Sequence, residues 1–475
     1  MAKVISEREE MPRQKVEERI HNFEEVNLGF DMELAQAEAE RCLLCPQPPC
    51  VEGCPVEIDI PGFIAKVREG DMMGAVEVLR GDTNLPAICS RVCPQEEQCE
   101  GACVLGKRFE PVAIGHLERF VADWDLERGV EVPELPPPTG KRVAVVGSGP
   151  GGLTCAADLA KMGHEVTIFE SLPVSGGMLM HGIPAYRLPR KVVQAKIDYV
   201  KKLGVEIRLN SAIGELYTVD ELLGEQGYDA VFLGTGADLP RSLGLPGENL
   251  NGIYSGIEFL TRINLMKTYK FPEYDASIKV NPKVVVIGAG DVAMDSARCA
   301  LRLGAAEVKI VYRRSRNEMP ACASEIHHAK EEGIIFEFLT NPVSFHGDEN
   351  DWVKKMRCMK MKLGEPDRSG RPRPIPIEGS DFDMDADLVI VAIGTRPNPL
   401  VFSGATGLER TERGTIVANE GTGRTTKERV WCGGDVLIGA ATVVSAMGAG
   451  KRAAIDIDRF LRKPEASWTL EGRER

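Results

Sequence analysis

Residues 143–152 read VAVVGSGPGG: four apolar residues that break into a glycine-rich turn. An alanine-rich stretch with helical spacing runs on to about Met162, and a second apolar run, Glu165–Phe169, follows. Strand, tight turn, helix and strand in that order are the unit of a parallel sheet covered by helices. Each glycine has a job in such a turn. Gly147 permits the bend, Gly149 lets the backbone approach a pyrophosphate, and Gly152 lets the helix pack on the strand. The helix N-terminus favours the anion. Glu170 closes the second strand, where a carboxylate meets a pair of ribose hydroxyls. A ligand-free glycine turn is the plainer alternative; strand, helix and acid together argue for a dinucleotide.

The pattern recurs. Val284–Ile287 runs into Gly288-Ala-Gly290-Asp-Val-Ala293, then a helix and a strand over Glu307–Tyr312. Ala293 takes the place of the third glycine. The second strand ends not on an acid but on Arg313 and Arg314, with Arg316 close behind. Cations there suit a 2′-phosphate, hence NADP(H) rather than NAD(H), unless they are merely solvated on a turn. Two further strands end in Gly-Thr, within DAVFLGTGAD (229–238) and ADLVIVAIGTRPN (386–398). The first lies between the two glycine loops and the second lies after both. The simplest topology nests one doubly wound domain in the other, with the chain leaving the first near residue 255. We expect a first domain over 141–279 and 389–475 and a second over 280–388. Val430–Asp435 supplies the last strand of the first domain and Ala441–Leu461 its last helix.

Ahead of both loops lie eight of the chain's 13 cysteines: Cys42, Cys45, Cys50 and Cys54, then Cys89, Cys93, Cys99 and Cys103. Each group contains a Cys-Pro, at Cys54-Pro55 and at Cys93-Pro94. Soft thiolates presented from tight turns suit iron–sulfur clusters. C-x2-C also suits tetrahedral zinc; the Cys-Pro steps and the adjoining redox-type folds favour iron. Asp31 caps a helix that delivers Cys42, and Pro61–Glu69 and Asp71–Arg80 have helical spacing. Residues 1–140 are thus expected to be a small α-helical, metal-pinned domain, closed by the stiff Pro133–Gly140 linker. Cys155, Cys299, Cys322, Cys358 and Cys432 read as small apolar core side chains, and none forms a redox C-x-x-C.

Composition narrows the setting. The 475 residues are 43% hydrophobic and 27% charged, ordinary for a globular chain of about three domains. A net charge of −13 argues against nucleic acid. No apolar run nears the roughly 18 residues of a membrane span, and the first ten residues have no apolar signal core. Cytoplasmic, reduced thiols are the expectation.

Taken together, the cysteine arrangement, VAVVGSGPGGL, GGMLMHGIPAYRLP (Gly176–Pro189), VIGAGDVAMD, VYRRSRNEMPA and CGGDV resemble the glutamate synthase small (beta) subunit family over essentially the whole chain. That family includes the large subunit of NADH-dependent reduced ferredoxin:NADP oxidoreductase, and dihydropyrimidine dehydrogenase has a related N-terminal half. The resemblance implies FAD at the first loop, NADP(H) at the second and two [4Fe-4S] clusters. It implies that Cys42, Cys45, Cys50 and Cys103 hold one cluster and Cys54, Cys93 and Cys99 the other. Glu118, in Ile114–Phe120, is then the candidate eighth ligand and Cys89 is surplus, whereas thiol counting alone selects Cys89. By the same resemblance Gly176, Gly177 and Met178 run past the flavin, and Asp435 contacts its ribityl chain. Thr442 and Val443 start a helix whose dipole faces the flavin ring. The plainer readings are a loop for Gly176–Gly177 and a helix cap for Asp435.

Hydride carriers move two electrons and clusters move one, so a flavin must stand between them. No nucleophile or catalytic triad is needed, and none is evident. The clusters imply a further subunit. One candidate is a small flavin/iron–sulfur subunit that reacts with NADH, in an electron-bifurcating enzyme that also serves ferredoxin. The other is a glutamate synthase large subunit; the Met1-Ala2-Lys3 start offers no N-terminal cysteine for glutamine hydrolysis in this chain. FEEVNLGF (Phe23–Phe30) and YKFPEYD (Tyr269–Asp275) incline the expectation to the first. A nucleotide-sensing module with structural metal is the third reading.

Overall fold

The computed structural model of the protein describes residues 6–270, 272–274, 278, 282–367, 370–463 and 468–470. Two five-stranded parallel sheets form its centre. The first runs Val430–Cys432, Ala230–Leu233, Arg142–Val146, Glu165–Phe169, Glu206–Arg208. The second runs Ile253–Ser255, Leu388–Val391, Lys283–Ile287, Glu307–Tyr312, Ile335–Phe338. In each, the strand before the glycine loop sits in the middle, and the order reverses beside it. Ligands of open α/β sheets bind at that reversal.

The second unit is nested in the first, with wider limits than 280–388. The 279–280 boundary falls outside the described residues. The second sheet nonetheless takes in Ile253–Ser255, and Leu388–Val391 remains in it beyond residue 388. The two crossings between units lie side by side as an antiparallel pair, Leu239–Pro240 with Thr395–Arg396. Pairing, not hydrophobic pattern, sets these limits, because Ile253–Ser255 completes a sheet whose other strands come later in the chain. The second unit also carries an unforeseen antiparallel sheet: Thr340–Gly347, Val353–Pro366, Pro372–Pro376 and Phe382–Asp385.

The N-terminal region is helical. Asp31, Asp59 and Asp71 each accept a backbone N–H three residues on, at 2.9, 3.0 and 2.9 Å. They start helices at Met32–Ala39, Ile60–Glu69 and Met72–Asp82, each cap contributing about 1 kcal/mol. Asp71 is therefore a cap and not the first helical residue. One continuous core joins this region to the first unit, running from Phe63, Ile64 and Leu117 to Leu153, Val444 and Met447. Separate cores fill the second unit. Among the described residues no helix is long and apolar enough to cross a membrane.

Candidate active site

The two glycine loops repeat one piece of geometry. Gly147 N–H donates to Phe169 O at 2.8 Å, and Gly288 N–H to Val311 O at 3.0 Å. Both loop glycines have positive φ, 98° and 133°. A Cβ at Gly147 would lie 2.5 Å from Gly234 O, and one at Gly288 would lie 2.1 Å from Ala392 O. Those carbonyls end the Gly-Thr strands, so each loop nests against the echo segment noted in the sequence. No other residue fits there.

Gly147 and Gly149 line a cavity of about 380 Å³, together with Glu170, Gly177, Met178, Asp435, Thr442 and Val443. Gly152, Gly176, Gly288, Gly290, Ala293, Arg313 and Arg314 do not line it. Gly152 backs onto the Gly147 carbonyl instead. Gly176 N–H donates to Ser148 Oγ at 2.8 Å and so clamps its segment onto the first loop. Glu170 is buried and accepts from Ser148 N–H at 3.0 Å and Leu172 N–H at 2.9 Å. A Cβ at Gly149 would meet nothing within 4 Å, so backbone faces open space where a pyrophosphate would approach. Size, bare backbone and buried acid fit a flavin dinucleotide.

Asp435 opens a short helix, Asp435–Ile438, and is not the end of a strand as expected. Its carboxylate accepts from Ala441 N–H at 3.2 Å, and burial raises its pKa to about 6. Thr442 caps the helix Val443–Arg462 by accepting from Ser445 N–H at 3.2 Å, one residue into the expected Ala441 start. The helix N-terminus thus faces the cavity through Thr442 and Val443. Sequence reasoning passed over Asp238, Asp291, Asp295 and, within the quoted GGMLMHGIPAYRLP stretch, His181 and Arg187, which line the same cavity. The signal was present: four of the five lie in motifs already singled out, and Asp238 ends the first echo segment.

Arg313 and Arg314 part company. Arg313 is exposed. Arg314 is buried, donating to Pro372 O at 2.8 Å and Asp367 Oδ2 at 2.7 Å in the unforeseen sheet. Of the expected pair of phosphate ligands, Arg313 reaches solvent and Arg314 is held inside by Pro372 and Asp367. A strand-end position carries no information on a hairpin packed against it.

The cysteines form two groups. Cys42, Cys45, Cys50 and Cys103 line one small pocket with Pro48 and Ile64. Burial and then the neighbouring Cys103 and Cys42 push the Cys50 thiol up to about 11. Cys54, Cys93 and Cys99 gather around Glu118. Cys99 is raised by burial and by the charges of Glu100, Glu118 and Cys54; Cys54 is raised by burial, with smaller effects of Glu118 and Cys89. Glu118 is buried, burial raises it to about 8, and its Oε1 has no hydrogen-bond partner. Crowded thiols and an orphaned buried carboxyl fit the donor set of an iron–sulfur cluster. Among the described residues no three His, Cys, Asp or Glu side chains converge on one ion. A cluster does not ask for that, since each ligand binds its own iron. Cys89 is fully buried, hydrogen-bonded to Cys93, and its thiol donates to Met447 Sδ at 3.3 Å. It therefore lies beside the second group and also packs on the flavin-unit helix.

Residues 19–130 match the domain family described as dihydropyrimidine dehydrogenase domain II, 4Fe-4S cluster, and residues 141–450 match the pyridine nucleotide-disulphide oxidoreductase family. The chain is 41% identical over 447 residues to the NADP(+)-dependent formate dehydrogenase subunit beta of Moorella thermoacetica, covering 89% of this chain and 61% of that one. It is 35% identical over 463 residues to the glutamate synthase [NADPH] small chain of Escherichia coli K12, covering 96% and 97%. FprA of Mycobacterium tuberculosis, solved in complex with NADPH, shares the fold at a TM-score of 0.56 and 21% identity, over 71% of this chain and 88% of that one. The chain is an oxidoreductase that belongs to the pyridine nucleotide-disulphide oxidoreductase family, in its glutamate synthase small chain branch, with a 4Fe-4S domain at its N-terminal side.

Proposed function

We propose that the chain is the NADP(H)-dependent electron-transfer subunit of a larger oxidoreductase. Its path runs from NADP(H) at the second loop to FAD at the first, then to the Cys54/Cys93/Cys99/Glu118 cluster and out through the Cys42/Cys45/Cys50/Cys103 cluster. One observation carries the order. The helix Val443–Arg462 lines the flavin cavity with its first turn and touches the second thiol group with its next. Met447 accepts from Cys89, and Gly448 lies where a Cβ would come within 2.4 Å of Pro55 O, beside Cys54. Lys451 Nζ then donates to Val56 O at 3.2 Å and Asp82 O at 2.6 Å, which locks the helix there. The Cys42 group is flanked by exposed Leu43 and Leu44.

When bound, the flavin couples a two-electron hydride carrier to one-electron iron centres. The chain's own residues bind and orient. Ser148 and Glu170 set the first loop, Arg313 offers charge to a 2′-phosphate, and Asp435 and Thr442 close the flavin cavity. The partner we favour is a small flavin/iron–sulfur subunit that reacts with NADH, in a bifurcating enzyme that also serves ferredoxin. Coverage of nearly the full glutamate synthase small chain supports the synthase large subunit as the second reading. Anaerobic copurification separates them by what comes down with the chain. NADPH should bleach the flavin and then the iron–sulfur absorbance, with one FAD and about eight irons per chain from two four-iron clusters. Zinc in place of iron would refute the path.

A further inference from the structure

A second cavity, of about 80 Å³, lies where the thiol-bearing domain and both dinucleotide units meet. Its wall is polar. Ser90 comes from the first, Arg187 from the flavin unit, and Arg298, Glu325 and His328 from the second unit. Four buried side-chain atoms on this wall have no hydrogen-bond partner among the described residues: Ser90 Oγ, His116 Nδ1, Arg187 Nε and His328 Nδ1. Each such atom costs about 1–3 kcal/mol unless it is satisfied. A polar chamber of this size holds two or three waters, each taking about 30 Å³. His328 Nδ1 also stands 3.6 Å from Glu325 Oε1, too far for a hydrogen bond and right for a shared water.

The chamber has two ends. Ser324 is exposed at the outer end. At the inner end Arg187 and Val92 line both this chamber and the flavin cavity. Arg187 Nη1 donates to Asp295 Oδ2 at 2.8 Å, and its Nε lies 3.5 Å from Glu325 Oε2. Asp295 faces the flavin cavity, and its other oxygen, Oδ1, has no hydrogen-bond partner among the described residues. An acid, an arginine and a set of unsatisfied polar atoms thus line a path from the flavin cavity to the outer end of the chamber.

We propose that this chamber is a hydrated proton conduit between the flavin cavity and solvent, with Asp295 as its inner terminus and Arg187 as the residue that positions it. The proposal rests on the electron path given above. NADPH delivers a hydride, which is two electrons and one proton. Iron–sulfur clusters take the two electrons singly and no proton. One proton per NADPH is therefore left in the flavin cavity. The Asp295 carboxylate takes it and becomes a carboxylic acid. It then returns to carboxylate as a water beside Arg187, which lines both cavities, accepts the proton, and one proton leaves through the chamber at the Ser324 end. Reverse electron flow takes one proton up.

The surroundings suit that role. Burial raises Asp295 to about 7; Arg187 and Arg298 oppose the rise, while Glu325 and Asp291 add to it. Both protonation states are then populated near neutrality, as efficient transfer requires. Glu325 is unsuited. Burial alone would raise it, but Arg298 and Arg187 outweigh burial and hold it well below the usual carboxylate range. Burial keeps His328 neutral, able to accept at one ring nitrogen and donate at the other.

Three readouts on the holoenzyme test this. A high-resolution crystal structure should show ordered waters bonded to Ser90 Oγ, Arg187 Nε and His328 Nδ1; a dry chamber overturns the conduit. Infrared difference spectra between pH 5 and 9 should show a carboxylic acid band that titrates near neutrality and vanishes in Asp295→Asn. A band unchanged by that substitution overturns Asp295 as the terminus. Ser90→Leu fills the chamber with hydrocarbon. With its iron content intact, its flavin-to-cluster phase should slow by at least about tenfold, against the roughly 100- to 10,000-fold that positioned proton transfer contributes. An unchanged phase overturns the conduit, and if the variant loses iron the infrared result decides. Failure of NADPH to reduce iron in the parent protein would instead sink the electron path, and the crystal and infrared readouts keep the two failures apart.

Discussion

Arg313 and Arg314 are adjacent in the chain and opposite in environment. Arg313 is exposed where Arg314 is buried, so Arg313→Ala should raise the KM for NADPH by about tenfold or more, the worth of one charged hydrogen bond of 1.5–3 kcal/mol. The KM for NADH should move little. Arg314→Ala removes the partner of Asp367 and Pro372. It should lower the melting temperature and leave the ratio of the two KM values unchanged. Steady-state kinetics with both nucleotides and a thermal melt check the split; a large shift of the ratio in Arg314→Ala would reverse the assignment. At the same scale we propose Glu118, not Cys89, as the eighth cluster ligand. Glu118 has an orphaned buried oxygen, whereas the Cys89 thiol is already spent on Met447. Cys89→Ser should keep both clusters, and Glu118→Ala should alter the EPR spectrum or iron content of one. The opposite pair of results would make Cys89 the ligand.

At the scale of elements, helices carry the argument. Arg190–Lys202 packs on the flavin unit and the thiol-bearing domain, and it buries Lys196 to 2% exposure. Burial lowers the Lys196 pKa from 10.5 to about 8; Asp125 and Asp123 resist this, and Arg80 and Lys161 assist it. The sign follows. Above pH 10.5 both folded and unfolded chains hold the neutral amine and nothing is lost. As pH falls from 10.5 to 8 the unfolded chain takes its proton first and stability drops, and below 8 the full cost remains. Lys196→Met, which keeps the volume, should therefore raise stability at pH 7 by up to about 3 kcal/mol. The gain should fade as pH rises from 8 to 10.5. Denaturant melts at pH 7 and pH 10 would show it, and a loss of stability at pH 7 would contradict it.

Across the whole molecule, the N-terminal segment ties the nested unit to the rest. Arg19 is buried and donates to Glu332 Oε1 at 2.9 Å and Glu331 Oε2 at 2.8 Å. Phe23 stacks on Tyr269 with centroids 4.4 Å apart, and Val26 N–H donates to Tyr186 O at 3.0 Å. Glu96 accepts from Ala323 N–H at 2.7 Å across the same seam. In Arg19→Ala, Glu332 keeps Arg298 and Arg302, so the cost should be about 1–3 kcal/mol rather than that of an abandoned buried charge. Hydrogen exchange should quicken in residues 14–27 and 323–332 and stay unchanged around 143–170. Uniform protection would mean that the segment does not hold the units together.

Both glycine loops, their strands and the Asp31 cap were legible in the chain, because hydrophobic period and turn chemistry are local. So were the two cysteine groups and the nesting of one sheet in the other, since motif order alone implies an interrupted first domain. The limits of the nested unit were not legible: Ile253–Ser255 pairs with Leu388–Val391, some 135 residues on. Nor was the fate of Arg314, which depends on a sheet that begins 26 residues later. The position of Asp295, Arg187 and Ser90 across one wall is likewise a product of three packed domains. Sequence patterns report which residues share a strand or a helix face. Pairing, burial and the distance between side chains on different elements exist only once those elements close on one another.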